Sequence, residues 1–389
     1  MSITPFSLYV HIPFCSQKCP YCDFNTYAVP RAPEEAYVAA LQAELRTAAC
    51  DSRFAGRPIQ SVFFGGGTPS LISPDGIRRI VESACSIYPL QVGAEVTLEA
   101  NPSEPSQERY EGYRAAGINR VSFGVQSFDE RRLSLLGRDH TPDDARRAVA
   151  AAVAAGIENV SVDIIFGTPG QALDELKGDI SSACSLPITH ISTYSLTIEP
   201  GTPFYQRQER GLLSLPPEDT VAEMLSLIPK LLSEKGFSRY EISNYAKPGL
   251  ESFHNRAYWL GDDYLGIGAG AHSCVTQREG TRRVSAERWS TYALPTTYME
   301  RAHSGDTVSW RESLSREALM FEFFYLGLRR TAGVSREQFR LTFGEEIGER
   351  HTRTIAELVA DGFIIEREGF LVLSERGIAL SDSVYERLA

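Results

Sequence analysis

Short runs rich in apolar and β-branched residues recur along the first half of the chain, at 8–12, 61–64, 95–99, 120–125, 160–166 and 190–196. Each is followed by a longer stretch whose apolar positions return every three or four residues, at 33–49, 74–87, 107–115, 141–154, 173–184 and 217–234. Strand-like runs alternating with helical periods predict parallel βα units rather than hairpins. Several helical stretches close at glycine, at Gly117, Gly156 and Gly236, where a left-handed cap is unstrained. Six such units predict an α/β fold, a partial (β/α)6 TIM-like barrel open on the side that eight units would close. The run 239–245 predicts an added edge strand, and the Gly-rich stretch 262–272 a tight loop over the opening. From about Trp310 the pattern changes to helices, followed by 355–361, a hairpin over 363–373 around Glu368-Gly369, and a last helix. That order predicts a winged-helix-like module. The expected divisions are a barrel over 1–237, a connecting segment over 238–309 and a C-terminal domain over 310–389.

Composition narrows the partners. With 389 residues, 42% of them hydrophobic and 23% charged, the chain has enough apolar surface for a substantial core, which excludes disordered and fibrous classes. A formal charge of −11 argues against broad attraction to nucleic acid or anionic lipid. A winged helix raises the question of DNA, but from Trp310 onward there are 11 Arg, no Lys and 14 acidic residues, the wrong sign for a phosphate-binding face. This module reads as a lid or docking domain. Residues 1–6 lack the basic and apolar regions of a secretory signal, and the longest uncharged stretch, 180–198, is broken by Pro187. A cytoplasmic location without a transmembrane segment is expected, with no anchor visible and any membrane association arising through a partner or on loading with a ligand. In a reducing compartment the seven cysteines are not expected to pair.

Their spacing carries the chemistry. Cys15, Cys19 and Cys22 form a CX3CX2C loop directly after the first strand. Three thiolates on one short loop can each take a different iron of one [4Fe-4S] cube, and the loop needs no distant closure. The fourth iron then stays open to an outside ligand. Zinc is the plainer alternative, but a structural zinc site brings a second Cys or His pair, and Cys50, Cys85, Cys184 and Cys274 are isolated. Gly65, Gly66, Gly67, Thr68 and Pro69 follow the second strand, where absent side chains let backbone carbonyls approach an ammonium group. Glu99 ends the third strand, Gln126 the fourth, and Asp163 lies in the otherwise apolar fifth, where an acid is costly unless it is paired with a neighbouring strand or bound to a ligand. These positions fall within the barrel or at the carboxyl ends of its strands, the side on which parallel barrels build sites.

The segment from Tyr9 to Cys15, Tyr-Val-His-Ile-Pro-Phe-Cys, together with the CX3CX2C loop resembles radical S-adenosylmethionine enzymes, and more narrowly the oxygen-independent coproporphyrinogen oxidase group, over nearly the whole chain. The resemblance implies that S-adenosylmethionine chelates the open iron and that the reduced cluster splits its sulfonium into a 5′-deoxyadenosyl radical. It implies that Tyr9, Gly66 and Glu99 contact the cluster-bound cofactor, and that Tyr21, Gly67, Thr68, Gln126, Arg138 and Asp163 match the positions holding a second S-adenosylmethionine in the oxidase.

Two features depart from the oxidase. Phe24 stands where its motif has a fourth cysteine, and only fourteen residues precede Cys15, so its N-terminal extension is not expected. The run His254-Asn255-Arg256-Ala257-Tyr258-Trp259 matches an HNxxYW motif of the haem-chaperone branch, and the stretch from Gly266 to His272 is also like that branch. By composition the motif reads as a buried Trp and Tyr with a hydrogen-bonded His. The resemblance instead makes His254, Asn255, Tyr258 and Trp259 a candidate haem site, with His272 as the competing axial ligand. His11, on the first strand, either lines the site or makes a core hydrogen bond. The function so implied is a haem chaperone that hands haem to acceptor proteins, respiratory enzymes among them, and that draws on a reductant for its cluster. The alternative is an anaerobic decarboxylase of coproporphyrinogen III.

Overall fold

A computed structural model describes residues 4–103 and 105–389. Its main sheet has twelve strands. Those that position the site are β1 (Phe6–Ile12), β2 (Ile59–Gly66), β3 (Leu90–Ala100), β4 (Arg120–Gln126), β5 (Asn159–Phe166), β6 (His190–Ser195), β7 (Asn244–Ala246), β8 (Tyr264–Ile267), β9 (His272–Glu279), β10 (Arg282–Thr291) and β11 (Val308–Leu314). The six expected βα strands lie side by side and parallel, in the order β1 to β6. The fold is the predicted partial α/β barrel, with a further module at the C-terminus.

Alternation along β1 sorts the layers. Leu8, Val10 and Ile12 are fully buried in a core shared with Tyr37 and Leu41 of α1 (Glu34–Ala48), while Tyr9 and His11 face the barrel interior among Phe63, Gly65 and Gly66. The helices start where their capping residues place them: Ser73 and Ser106 accept from Gly76 and Arg109 amides, and Thr141 and Asp144 form a capping box. Helices Pro74–Ile87, Gln107–Ala115 and Leu173–Cys184 have their expected bounds.

The opening of the barrel differs from the expectation. Residues 264–267, read as part of a loop, form β8, which pairs in parallel with β1, Gly266 opposite Tyr9. β9, β10 and β11 then continue the sheet in antiparallel order. Gly266 is required here by close approach: a Cβ would lie 2.0 Å from the His272 carbonyl oxygen, where the chain doubles back. The expected edge strand is split into Ser238–Arg239 and Asn244–Ala246, the latter antiparallel to β6. β11 straddles residue 310, so the sheet runs directly into the C-terminal helices.

That last part has its own core around Phe324, Phe339, Phe343 and Leu358. Helices Arg316–Gly327, Arg336–Phe343 and Glu349–Ala360 precede the hairpin of Ile364–Arg367 and Phe370–Leu373, whose turn residues Glu368 and Gly369 both have positive φ, 52° and 78°.

Candidate functional site at the carboxyl ends of the strands

A cavity of about 450 Å³ opens at the carboxyl ends of the barrel strands. Cys15, Cys19 and Cys22 line it together, none of them in a disulfide. Burial, and then the charges of Cys22 and Cys19, push the Cys15 thiol up. Among the described residues no three His, Cys, Asp or Glu side chains are grouped as a single metal ion would need. Three thiols from one short loop lining one cavity supply the three ligands that a cube takes, one iron per thiolate. The residues present therefore fit a cluster.

The loop is held from both sides. Gly67 and Thr68 donate to the carbonyls of Ile12 and Phe14, each at 2.8 Å. A Cβ on Gly67 would sit 2.6 Å from the Phe14 carbonyl and 3.0 Å from the Cys15 sulfur; on Gly66, at φ 116°, it would strike the His11 ring at 2.5 Å. The glycines thus clear space for the cysteine loop and for His11, as well as for an incoming ligand. Opposite, Gln17 donates to the Gly137 carbonyl at 2.8 Å, and Arg138 reaches the Cys19 sulfur at 3.4 Å while its other nitrogen donates to the Gly124 carbonyl.

Acids form the floor of the cavity. Glu99 accepts from the Gly66 amide at 3.1 Å and is pushed up to about 8 by burial and by the charge of Asp163. Asp163 accepts from Ser122 at 3.3 Å, and burial raises it too; it has no ion pair among the described residues. Two carboxyls raised by burial beside an open cavity suit a cationic ligand, which would favour their charged forms. Gln126, at the end of β4, has φ 69°, a strained backbone for a residue with a side chain, and its Oε1 is buried without a partner. Tyr21, Gln126 and Arg138 line the cavity with Gly66, Gly67 and Thr68. Tyr9 lies behind them, its hydroxyl 3.0 Å from His11 Nδ1, and the other His11 nitrogen is 3.0 Å from the Asn25 carbonyl of the cysteine loop. Phe24 stands 65% exposed at the mouth.

The HNxxYW segment lies at the other end of the barrel. Its helix α2 (Phe253–Trp259) is held by Glu95, near the amino end of β3, which accepts from Ser252 Oγ and from the Phe253 and His254 amides at 3.0–3.2 Å. Arg120 lies 3.9 Å from Glu95. His254 is 2% exposed, bonded through Nδ1 to Ser61 at 2.9 Å and stacked on Phe63. Burial and then the Arg120 charge push it down to about 3. The amide of Asn255 caps onto Ser252, Tyr258 packs on Tyr264 with ring centroids 4.5 Å apart, and Trp259 lies under the Arg329 guanidinium at 4.8 Å. His272 is elsewhere again, exposed at the start of β9.

Four residues were not singled out from the sequence: Glu95, Arg120, Tyr194 and Trp310. Glu95 carried the same signal as Asp163, an acid in an apolar run. Tyr194 lines the cavity from the end of β6, the side on which barrels build sites. Arg120 and Trp310 gave no local signal.

This barrel and its three-cysteine cavity define a radical S-adenosylmethionine protein, and residues 9–183 match the Radical SAM superfamily while 314–380 match the HemN C-terminal domain. The chain is 36% identical over 381 residues to "Heme chaperone HemW" of Bacillus subtilis, covering 97% of this chain and 98% of that one. It is 36% identical over 391 residues to the protein of the same name in Escherichia coli, covering 99% and 98%. It belongs to the HemW family. Among solved structures, E. coli coproporphyrinogen III oxidase (HemN) superposes with a TM-score of 0.82 at 21% identity, covering 99% of this chain and 90% of that one, a likeness of fold.

Proposed function

We propose that this chain is a haem chaperone, binding haem and passing it to haem-dependent proteins, respiratory enzymes among them, on a scaffold that carries a [4Fe-4S] cluster and S-adenosylmethionine. The observation that carries the reading is full-length similarity, at 36% identity, to proteins named as heme chaperones. Phe24 supports it against porphyrinogen oxidation, since a bulky exposed side chain occupies the place of the oxidase's fourth cysteine.

In this reading Cys15, Cys19 and Cys22 each hold one iron, and Arg138 steadies the Cys19 thiolate. When bound and reduced, the cluster supplies the electron that cleaves the S-adenosylmethionine sulfonium. Glu99 pairs with the cofactor's ammonium, Tyr9 and Gly66 shape the space beside it, and Tyr21, Gly67, Thr68, Gln126 and Asp163 bound the rest of the cavity. The barrel over 1–237 carries this chemistry, the strands up to Leu314 extend its sheet, and the C-terminal helices follow directly from that sheet. No helix of the described residues is long and apolar enough to cross a membrane.

The test is a pair of assays on anaerobically reconstituted protein. Haem titration is expected to saturate at one equivalent per chain, and coproporphyrinogen III with S-adenosylmethionine and a reductant is expected to give no protoporphyrinogen. Turnover of the porphyrinogen without haem binding would replace this reading with the oxidase.

A further inference from the structure

We propose that the axial imidazole for the cargo haem is His272, on the open face of β9 beside Trp310, and not His254 of the HNxxYW helix. The proposal rests on the chaperone reading and names the ligand within it. An imidazole that takes haem iron needs a ring nitrogen with a free lone pair and room for a flat macrocycle around it.

His254 keeps Nε2 without a partner, but that nitrogen is buried and has neither the room nor an approach for a macrocycle. Its ring lies on Phe63 with centroids 4.9 Å apart, it bonds Ser61, and it is sealed beneath the Glu95-capped helix. Phe63 in turn stacks on Tyr9, whose hydroxyl meets His11, and His11 meets the Asn25 carbonyl. His254 therefore buttresses the wall of the cluster cavity.

The other imidazoles narrow the choice. Both nitrogens of His11 and of His190 are engaged, the latter by Ser161 and Tyr240, and His140 is buried against the Val125 carbonyl. His351 stacks on Phe324 in the C-terminal part. His303 is exposed, but in the last turn of the helix Pro295–Ser304, which packs on α1 in the outer layer.

His272 is exposed and, among the described residues, neither of its ring nitrogens forms a hydrogen bond. In the sheet register His272 lies opposite Ser290, and Ser290 opposite Trp310, so the three form one row on one face of β9, β10 and β11. The small serine leaves a saddle between an imidazole and an indole whose centroids are 6.4 Å apart at 62°, and Trp310 is 44% exposed. A half-exposed Trp on an edge strand beside an unbonded imidazole supplies an iron ligand and a flat apolar flank together. The row is rigid at its start, because Ser273 Oγ bonds both the amide and the carbonyl of Gly266, and the His272 carbonyl fills the space a Cβ of Gly266 would need. Burial and the Arg288 charge hold His272 below its ordinary range, leaving the neutral ring that binds metal at neutral pH. The His272 carbonyl packs against Gly266, which lies opposite Tyr9 in the sheet, so this row starts one strand from the wall of the cluster cavity.

The experiment titrates ferric haem into the reconstituted full-length chain and follows its Soret band. H272A is expected to weaken binding by roughly tenfold or more, with added imidazole restoring the band. W310A is expected to weaken it by about 3- to 10-fold. H272M should keep a haem but change its spectrum, as a His-to-Met exchange at iron does and a merely structural change does not. H303A and H254Q should titrate as the wild type does, and the iron and sulfide content of H272A should be unchanged. An H272A protein that titrates like the wild type, or an H272M protein with an unaltered spectrum, overturns this assignment while leaving the chaperone reading intact. A wild-type chain that takes no haem overturns both.

Discussion

Glu95, buried, and Glu99, half-buried, sit on the same strand four residues apart and point to the same side, and the protein uses them in opposite ways. Glu95 meets a hydroxyl, two helix amides and the nearby Arg120, so each of its lone-pair directions has an answer. Glu99 receives one amide and otherwise faces a cavity, which pushes it up to about 8. Toward the amino end of the strand Glu95 is answered by three donors, whereas toward the carboxyl end, at the cavity, Glu99 is left short of partners. A buried polar group without its full complement costs stability, and proteins keep such groups where a ligand completes them. The HNxxYW motif lies at the Glu95 end, where His254 Nε2, Trp259 Nε1 and Arg120 Nε are nonetheless buried without hydrogen-bond partners; the stacking of His254 on Phe63 makes it a support for the site above.

The sharpest break between the two ends is the cluster. Cys19→Ala is expected to abolish assembly of the iron–sulfur centre, measured as iron and sulfide per chain after anaerobic reconstitution, while Cys85→Ala, at an exposed position of the helix Pro74–Ile87, leaves both unchanged. Equal iron in the two variants would remove the ligand assignment. Next in size is the Glu95 end. Glu95→Ala strands two amides and the Arg120 charge in the interior and is expected to lower stability by roughly 3–5 kcal/mol, read from urea midpoints. A loss under about 1 kcal/mol would mean that this carboxylate is not what holds the helix.

The cavity end was legible from the sequence and the Glu95 end was not, for a physical reason. The cysteine loop is local, three ligands within eight residues, and its glycine partner follows a strand that the periodicity already marks. The Glu95 end is assembled across the chain: Glu95 meets Ser252 across 157 residues, and Ser61 meets His254 across 193. No window of sequence contains both partners. β8 was hidden for a related reason, since Gly266 reads as a turn former when seen alone, and only its approach to the His272 carbonyl explains it. His254 was first read from composition as a core imidazole with a hydrogen bond, and its burial and its bond to Ser61 agree with that plainer reading of the residues.

The pH dependence tests Glu99 without disturbing the fold. Because Glu99 is raised from 4.5 to about 8 in the folded chain, the native state binds the extra proton. Its contribution to stability is fully present below 4.5 and is lost as pH rises through 8. In cofactor-free protein, Glu99→Gln is therefore expected to match the wild type near pH 5 and to exceed it by on the order of 3 kcal/mol by pH 8. The same substitution should weaken S-adenosylmethionine binding, so that stability and affinity move in opposite directions. A constant gap between the two proteins across this range would mean that Glu99 stays ionised and that the cavity end is better satisfied than its single hydrogen bond suggests.

The smallest expected effect concerns how the Glu95 end joins the C-terminal part. Arg329 lies over Trp259 at 4.8 Å and within 6.0 Å of Tyr325 and Tyr385, while its backbone carbonyl accepts from the Ile242 amide. Arg329→Met removes the cation but keeps the backbone bond and much of the side-chain volume. The expected loss is about 0.5–2 kcal/mol, appearing as faster amide exchange in the helix Phe253–Trp259 with cluster content unchanged. The motif's tryptophan would then act as a seat for the C-terminal part, as its histidine acts as a buttress for the cavity wall. If haem affinity fell in this variant as far as in H272A, the indole of Trp259 would be reading haem, and the two ends of the barrel would not divide their labour in this way.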